Sequence, residues 1–306
     1  MSELKLAIQI GSLKLKNPVM LASGTVGYGN EISKFIDLSK IGAIVTKSIS
    51  LKPRIGNPPQ RIVETASGML NAIGLANVGL DVFIEQKIPY LQDLGTTLIC
   101  NIAAGSIEEY VECTKVLNSI DTVKAFEINV SCPNVKDGGL IFGNDVNAVR
   151  TITEQVRKVT DKPLIIKLSP NVSKIADFAR AAKEGGADAV SAINTLVGTA
   201  FDIYSRKPKI KNITGGLSGP AIKPVALAKV FEISKNVDIP IIGIGGISDW
   251  KDAIEFMIAG ATAFQLGTIN FVNPLASIEI IKGIENYCRD NSINNISELT
   301  ASYNLK

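Results

Sequence analysis

The 306-residue sequence contains no histidine, so any acid–base chemistry must use cysteine, lysine or carboxylate side chains. Aromatic residues make up only 6% of the chain, which argues against a stacking surface for single-stranded nucleic acid. The formal net charge is only +3, and the basic residues are scattered, so we expect no polyanion-binding face. The composition therefore excludes histidine catalysis and disfavours nucleic-acid binding.

Long apolar runs are also absent. Charged residues interrupt every hydrophobic segment before the ~18 to 20 residues that a membrane-spanning helix requires. The opening stretch, MSELKLAIQIGSLKLKNPV, carries no export signal, and we expect a soluble, cytoplasmic protein. The four cysteines lie too far apart for CxxC spacing. We therefore expect reduced thiols and no metal site.

Short, branched apolar runs do recur along the chain, each followed by a segment of helical periodicity, which is typical of parallel βα units. Eight units can be counted. The predicted strands are 18–23, 43–48, 97–102, 125–131, 164–169, 189–194, 239–245 and 263–267. The predicted helices lie near 31–39, 79–93, 106–118, 145–160, 173–185, 220–236, 249–259 and 274–289.

Eight βα units favour an α/β fold of the (β/α)8 barrel (TIM barrel) type, although alternation alone would also permit a doubly wound open sheet. No linker divides the sequence, so we expect one domain over 1–306, with a small N-terminal hairpin over 4–16. Three connections, 49–78, 132–144 and 195–219, are longer than a barrel needs. All follow strand C-termini, the catalytic face of such barrels, which predicts substrate contacts there.

The seventh and eighth units end in glycines before a helix, in IPIIGIGGIS and in AFQLGTINF. Glycines let the backbone approach a ligand closely, and amide donors at a helix start favour an anion. The pair predicts a phosphate site but does not identify the ligand, and many sugar-phosphate enzymes would fit. Ordinary turn glycines are the alternative interpretation.

Lys47 ends the second strand and Lys167 lies within the fifth, each inside an apolar run. A lysine there is costly unless it meets an anion or a polar ligand. Lys47 could bind a substrate carboxylate and Lys167 a reduced cofactor, with structural salt bridges as the alternative. Asparagines occur at the same level, and their amides suit an imide or amide ring: Asn71, Asn101, Asn129 and Asn194.

Cys132 ends the fourth strand, before a Pro-Asn turn. A free thiol has a pKa near ~8.5 and can accept a proton near neutrality if neighbouring cations favour the thiolate. Cys132 is therefore the candidate base. Buried cysteines are usually small apolar residues, and we expect that role for Cys100, Cys113 and Cys288.

Taken together, these segments resemble dihydroorotate dehydrogenases of the two-subunit, NAD-linked type (class 1B), over nearly the whole chain. The motifs that carry the resemblance are ASGTVGYG (22–29), TKSIS (46–50), ETASGMLNAIGL (64–75), CNIAAG (100–105), INVSCPNVKDGG (128–139), IKLSPN (166–171), INTLVG (193–198), NITGGLSG (212–219), GIGGI (243–247) and LGT (266–268).

The resemblance implies FMN as the cofactor of this flavoprotein oxidoreductase of pyrimidine biosynthesis. The implied phosphate contacts are Gly219, Gly245, Gly246, Gly267 and Thr268. The implied contacts to the rest of the flavin are Ser23, Lys47, Ser48, Asn101, Asn129, Lys167 and Ile193. The implied substrate contacts are Lys47, Asn71, Ala72, Ile73, Gly74, Leu75, Asn129, Asn194 and Thr195.

By the same resemblance, Cys132 removes a proton from C5 of dihydroorotate while hydride leaves C6 for the flavin, and orotate forms. Lys47 is implied to hold the substrate carboxylate, and Lys167 to favour the reduced flavin. A different FMN barrel acting on pyrimidines is an alternative function. A flavin-free sugar-phosphate barrel is another, and a catalytically silent scaffold is a third.

No NAD site is apparent, because the nearest glycine segment, 243–248, lacks the last glycine of GxGxxG. The spacing of the cysteines also provides no iron–sulfur site. The resemblance therefore implies a partner subunit with FAD and a [2Fe–2S] cluster, in a heterotetramer with two of each chain, built on a homodimer of this chain. The single-subunit enzyme that uses fumarate is the alternative.

Overall fold

The computed structural model describes residues 4–131 and 142–305. Its strands are β1 (Ile8–Ile10), β2 (Leu13–Leu15), β3 (Val19–Leu21), β4 (Ala43–Val45), β5 (Ile62–Thr65), β6 (Gly68–Asn71), β7 (Thr97–Ile102), β8 (Val123–Asn129), β9 (Leu164–Lys167), β10 (Ala189–Ala192), β11 (Leu196–Thr199), β12 (Thr214–Ser218), β13 (Ile241–Ile244) and β14 (Ala263–Leu266).

Eight of these strands form a closed parallel barrel, which confirms the predicted fold and excludes the open sheet. Each of β3, β4, β7, β8, β9, β10, β13 and β14 pairs with the next in chain order, and β14 pairs with β3 to close the ring. Apolar residues predominate in the short strands, and β9, β10, β13 and β14 are buried at every position. Burial of both strand faces is what helices packed around a parallel sheet require.

The helices are α1 (Leu80–Val82), α2 (Ile88–Leu91), α3 (Ile107–Asn118), α4 (Val146–Arg157), α5 (Ile175–Glu184), α6 (Lys223–Asn236), α7 (Trp250–Ile258), α8 (Ile269–Val272) and α9 (Ala276–Asp290). A π-helical turn, Phe83–Lys87, joins α1 to α2. Short 3-10 turns occur at Ile32–Lys34, Leu38–Lys40, Phe142–Asn144, Pro220–Ile222 and Ile296–Leu299.

Seven of the eight predicted helices are confirmed. The prediction of a helix near 31–39 is wrong. That segment contains two 3-10 turns separated by residues 35–37, of which Asp37 is extended. The Asp37 carboxylate accepts hydrogen bonds from the backbone and the side chain of Ser39. An aspartate that bonds its own neighbourhood in this way competes with a continuous helix.

The connections after β4 and β10 form a second sheet. Its four strands lie in the antiparallel order β11, β12, β6, β5. Because both connections leave the C-terminal ends of barrel strands, this sheet lies at the C-terminal mouth of the barrel. The predicted N-terminal hairpin is also confirmed, with β1 antiparallel to β2.

Within the described ranges, no helix is long and apolar enough to cross a membrane. A cytoplasmic location and the single-domain reading of the whole chain stay predictions from the sequence. Of the three long connections, most of 132–144 lies outside the described residues.

Candidate active site

The polar side chains of the mouth are adjacent because of strand register. Asn101 of β7 is paired with Glu127 of β8. Lys167, the last residue of β9, is paired with Asn129 on one side and Ser191 on the other. Side chains at equivalent levels of parallel strands form a layer inside such a barrel. This layer is polar at the C-terminal end.

A buried carboxylate lies at the centre of this layer. Glu127 is fully buried, and its Oε1 accepts hydrogen bonds from Asn101 Nδ2 at 2.7 Å and Lys167 Nζ at 3.5 Å. Its Oε2 accepts from Ser191 Oγ at 2.9 Å and from Gln265 Nε2 at 2.6 Å. Four donors from four different strands thus surround one carboxylate, which satisfies the requirement that buried charge be paired.

The network extends toward the ends of the first two barrel strands. Lys167 Nζ also donates to Ser23 Oγ at 3.2 Å, and Ser48 Oγ donates to Asn101 Oδ1 at 2.6 Å. The structure therefore brings together four of the predicted flavin-binding residues, Ser23, Ser48, Asn101 and Lys167.

A second group joins the ends of β8 and β10. Asn194 Nδ2 donates to Asn129 Oδ1 at 3.2 Å, and Ser131 N donates to the same oxygen. Asn194 Oδ1 in turn accepts from the Thr195 amide. Tyr110 supports this group from α3, because its hydroxyl donates to the Asn129 carbonyl at 2.8 Å. The predicted substrate residues Asn129, Asn194 and Thr195 are thus neighbours.

Lys47 lies two residues beyond the end of β4, half-buried. Its ammonium forms no hydrogen bond or ion pair in the part of the chain that the structure describes. Burial lowers the pKa of Lys47, the positive charge of Arg61 lowers it further, and Glu31 opposes both. Among the described residues Lys47 thus forms no salt bridge, whereas Lys167 does pair with Glu127. An unpaired, partly desolvated cation at the mouth is suited to an anionic ligand.

The predicted substrate segment 71–75 runs from the end of β6. Asn71 Nδ2 donates to the Gly216 carbonyl at 3.3 Å on β12. Thr195 packs on the same strand, because a Cβ at Gly216 would lie 2.1 Å from Thr195 Oγ1. Asn57 also holds the segment, through hydrogen bonds with the carbonyls of Ala72 and Ile73. The second sheet thus connects Asn71 to Thr195.

Glycine backbone forms the predicted phosphate loops. Gly219, Gly245 and Gly246 have φ values of +97°, +129° and +74°, which L side chains rarely adopt. A Cβ at Gly246 would lie 2.8 Å from the Lys223 amide nitrogen and 2.9 Å from the Gly219 carbonyl oxygen. Gly219 precedes the 3-10 turn that leads into α6. The loops are therefore packed against a helix start.

The same loops present backbone donors. The amides of Gly245, Gly246, Gly267 and Thr268 donate no hydrogen bond within the described ranges. Thr268 Oγ1 donates to Ser218 Oγ at 2.8 Å, which places one hydroxyl pair beside them. Amide donors without acceptors, next to the start of a long helix, fit a phosphate group.

Cys132 lies outside the described residues, so its predicted role as the base stays a prediction. The other three cysteines are buried and unpaired with one another. Burial raises the pKa of all three thiols, that of Cys113 to about 12. None of these three is a thiolate near neutral pH, in agreement with the structural role expected of them.

Comparison with known proteins decides the family. The family model described as dihydroorotate dehydrogenase matches residues 5–288.

The chain belongs to the dihydroorotate dehydrogenase family.

Relatives in this family include a Geotalea daltonii protein, 53% identical over 305 residues and 100% of both chains. A Thermoanaerobacter sp. protein is 54% identical, over 98% of this chain and 99% of the relative. A Trichlorobacter lovleyi protein is 54% identical, over 96% of this chain and 97% of the relative. Each of the three is named dihydroorotate dehydrogenase B (NAD(+)), catalytic subunit. The resemblance inferred from the motifs is confirmed.

Three polar residues of this dihydroorotate dehydrogenase barrel were not identified from the sequence: Glu127, Ser191 and Gln265. Each lies inside an otherwise apolar strand segment, AFEINV, AVSA and AFQL. This is the signal that identified Lys47 and Lys167, and it could have identified Glu127 as well. The strand register determines which side chains meet across the barrel, and this register could not be predicted from the sequence.

Proposed function

We propose that this chain is the FMN-bearing catalytic subunit of an NAD-linked dihydroorotate dehydrogenase, which oxidises (S)-dihydroorotate to orotate in pyrimidine biosynthesis. The family match and the names of the relatives support the reaction. The observation that carries the proposal is Lys47, a half-buried ammonium without a partner in the described structure. It directly precedes Ser48, whose hydroxyl donates to Asn101 of the mouth. Such a cation suits the carboxylate of the substrate.

The residues present fit FMN. Amides without acceptors at Gly245, Gly246, Gly267 and Thr268, together with the start of α6, would hold the phosphate. Gly219 and Ile193 lie beside this cradle, since a Cβ at Gly245 would come within 3.5 Å of Ile193 and one at Gly246 within 2.9 Å of the Gly219 oxygen. The flavin ring would be held by the remaining predicted contacts: Ser23, Lys47, Ser48, Asn101, Asn129 and Lys167.

The substrate ring would be held by amide side chains. Asn129 uses Oδ1 to accept from Asn194 and Ser131, so its Nδ2 is the group directed to a ligand oxygen. Lys47 binds the substrate carboxylate, and the segment 71–75 with Thr195 closes the site from the second sheet. Rigid placement of the ring by these residues removes much of the entropic cost of reaching the transition state.

Two groups leave the substrate in the reaction. When bound, FMN supplies the acceptor for the hydride that leaves C6. Cys132 takes the proton from C5 as a thiolate, and the C5–C6 double bond of orotate forms from the electrons of the broken C5–H bond. We propose that Lys47 and Lys167 favour that thiolate electrostatically, because nearby cations lower a thiol pKa.

The electron acceptor requires a second chain. The relatives are named catalytic subunits of NAD(+) enzymes, which supports a partner subunit here. We propose that this partner carries FAD and a [2Fe–2S] cluster, in a heterotetramer with two copies of each chain built on a homodimer of this one. No group of three or more metal-ligating side chains occurs in the described ranges.

The test is an absorbance spectrum of the purified chain after incubation with FMN, before and after dihydroorotate. We expect about one flavin per chain and bleaching of its visible band by dihydroorotate. A folded chain that retains no flavin would favour a sugar-phosphate barrel instead. A flavin bleached by another dihydropyrimidine but not by dihydroorotate would reassign the substrate.

A further inference from the structure

We infer that Glu127 is a positioning residue that holds Lys167 and Asn101 in place and lowers the reduction potential of the bound flavin. The inference rests on the proposed function, because Lys167 and Asn101 act on a flavin only if FMN occupies the mouth. Glu127 itself is buried beneath the mouth and acts through these two side chains.

The five-residue network around Glu127 stands where apolar side chains are usual in such a barrel. Branched apolar side chains normally fill the interior of such a barrel. A buried ion pair brings little net stability, because desolvation of both charges offsets their attraction. Here the Lys167–Glu127 pair has side-chain exposures of 7% and 0%. A buried pair that is costly to form, at a level usually filled by apolar residues, indicates a role in function.

Glu127 determines how the two neighbouring side chains face the mouth. Asn101 donates to Glu127 through Nδ2 and accepts from Ser48 through Oδ1, so both ends of its amide are fixed. Lys167 Nζ lies between Glu127 and Ser23. An ammonium has three N–H groups, and these are its two hydrogen bonds in the described structure. The third N–H remains available to a ligand.

The charge of Glu127 has a predictable electrostatic effect. In a buried site the negative carboxylate offsets part of the positive potential of Lys167. A reduced flavin carries more negative charge than an oxidised one, so an uncompensated Lys167 would favour reduction more strongly. Glu127 therefore keeps the potential lower than Lys167 alone would make it. Removing the charge should raise the potential.

The test compares Glu127→Gln, Glu127→Asp and Ser191→Ala in the FMN-loaded chain, by reductive titration and by FMN affinity. Gln265 favours folding of Glu127→Gln: its Oε1 is buried without a hydrogen-bond partner in the described structure, and rotation of this amide lets it accept from the new side-chain amide. Ser191→Ala removes one hydrogen bond to Glu127 but no charge, and serves as the matched control.

For Glu127→Gln we expect binding of reduced relative to oxidised FMN to strengthen at least about tenfold, equivalent to a rise of about 30 mV in a two-electron potential. Ser191→Ala should remain near the parent value. Glu127→Asp keeps the charge but moves it away from Lys167 and Asn101. It should bind FMN about tenfold more weakly, a loss of about 1.4 kcal/mol.

A folded, flavin-loaded Glu127→Gln with the parent potential overturns the inference and leaves the proposed function standing. If Glu127→Gln does not fold, the Glu127→Asp variant tests the inference. Should Glu127→Asp bind FMN as tightly as the parent chain does, the positioning role of Glu127 is overturned. A parent chain that binds no FMN overturns the proposed function itself.

Discussion

Asn194 Nδ2 donates a hydrogen bond to Asn129 Oδ1 over 3.2 Å, which links the ends of two barrel strands. Since Ser131 N donates to the same oxygen, the Asn129 amide is oriented with Nδ2 outward. In the described structure Nδ2 donates to no protein acceptor. The pair therefore presents a donor, not an acceptor, to a ligand in the mouth.

This orientation predicts the effect of Asn129→Asp. The new carboxylate keeps both local hydrogen bonds but replaces the outward donor with an acceptor that repels a substrate oxygen. We expect kcat/KM for dihydroorotate to fall about 100-fold, since loss of a buried hydrogen bond and its replacement by repulsion together cost ~3 kcal/mol. Asn236→Asp makes the same charge change at the exposed last residue of α6 and should leave kcat/KM unchanged. Equal kcat/KM in Asn129→Asp and the parent would show that Nδ2 contacts no substrate oxygen.

Cys132→Ala removes the predicted base. We expect reduction of bound FMN by dihydroorotate to slow about 10²- to 10⁴-fold, the usual contribution of a general base, with FMN still bound. Stopped-flow absorbance measures the rate. Cys113→Ala is the control, because that thiol is buried with its pKa raised to about 12. Reduction of Cys132→Ala at the parent rate near neutral pH would exclude Cys132 as the base.

The lowered pKa of Lys47 predicts that kcat/KM for dihydroorotate depends on pH. Burial and Arg61 lower its pKa in the folded chain, so its charge is lost as pH rises through a value below that of an ordinary lysine. We expect kcat/KM to fall with rising pH in that alkaline range. Lys47→Arg stays charged there and should abolish the fall, while Lys183→Arg, at the exposed surface, should leave the profile unchanged.

The stability of the FMN-free chain provides a second readout of Lys47. A lysine with a lowered pKa in the folded state binds fewer protons than in the unfolded state, so stability rises with pH between the two pKa values. The difference in unfolding free energy between the parent and Lys47→Met should therefore shift in favour of the parent over that range. A difference that stays constant with pH would show that the Lys47 pKa is not lowered.

Alanine substitutions at two glycines of the proposed phosphate cradle should affect folding differently. Gly246→Ala places a Cβ at φ +74° against the Lys223 nitrogen, and should cost about 1–3 kcal/mol of stability as well as FMN binding. Among the described residues the new Cβ of Gly267→Ala would meet only Ala22, at 3.9 Å, and this variant should fold with parent stability. Its methyl group would narrow the cradle and weaken FMN binding about tenfold. Thermal unfolding and FMN titration separate the two effects.

The partner requirement predicts that the purified chain, loaded with FMN, does not reduce NAD with dihydroorotate. It should reduce an artificial acceptor, and NAD reduction should appear only when the second subunit is added. Efficient NAD reduction by this chain alone would contradict the prediction. Rapid turnover with fumarate would assign the chain to the single-subunit type.

Much of the barrel could be predicted because local pattern determines it. Short branched apolar runs alternating with amphipathic segments locate all eight barrel strands and seven helices. The prediction of a helix near 31–39 was wrong because the Asp37 carboxylate accepts local hydrogen bonds from Ser39, which compete with a continuous helix. The second sheet was missed, since β6 and β12 are far apart in sequence and their pairing is a tertiary choice.

By itself, the sequence determined the residue types available for chemistry: no histidine, isolated lysines and asparagines at strand ends, and paired glycine loops. The motifs also determined the family. Only the tertiary structure decided which of these side chains meet. Barrel closure and strand register place Glu127 among donors from four other strands, while Lys47 remains without a partner in the described structure. Burial strengthens the electrostatic interactions of both Glu127 and Lys47, because charges interact strongly only where water is excluded.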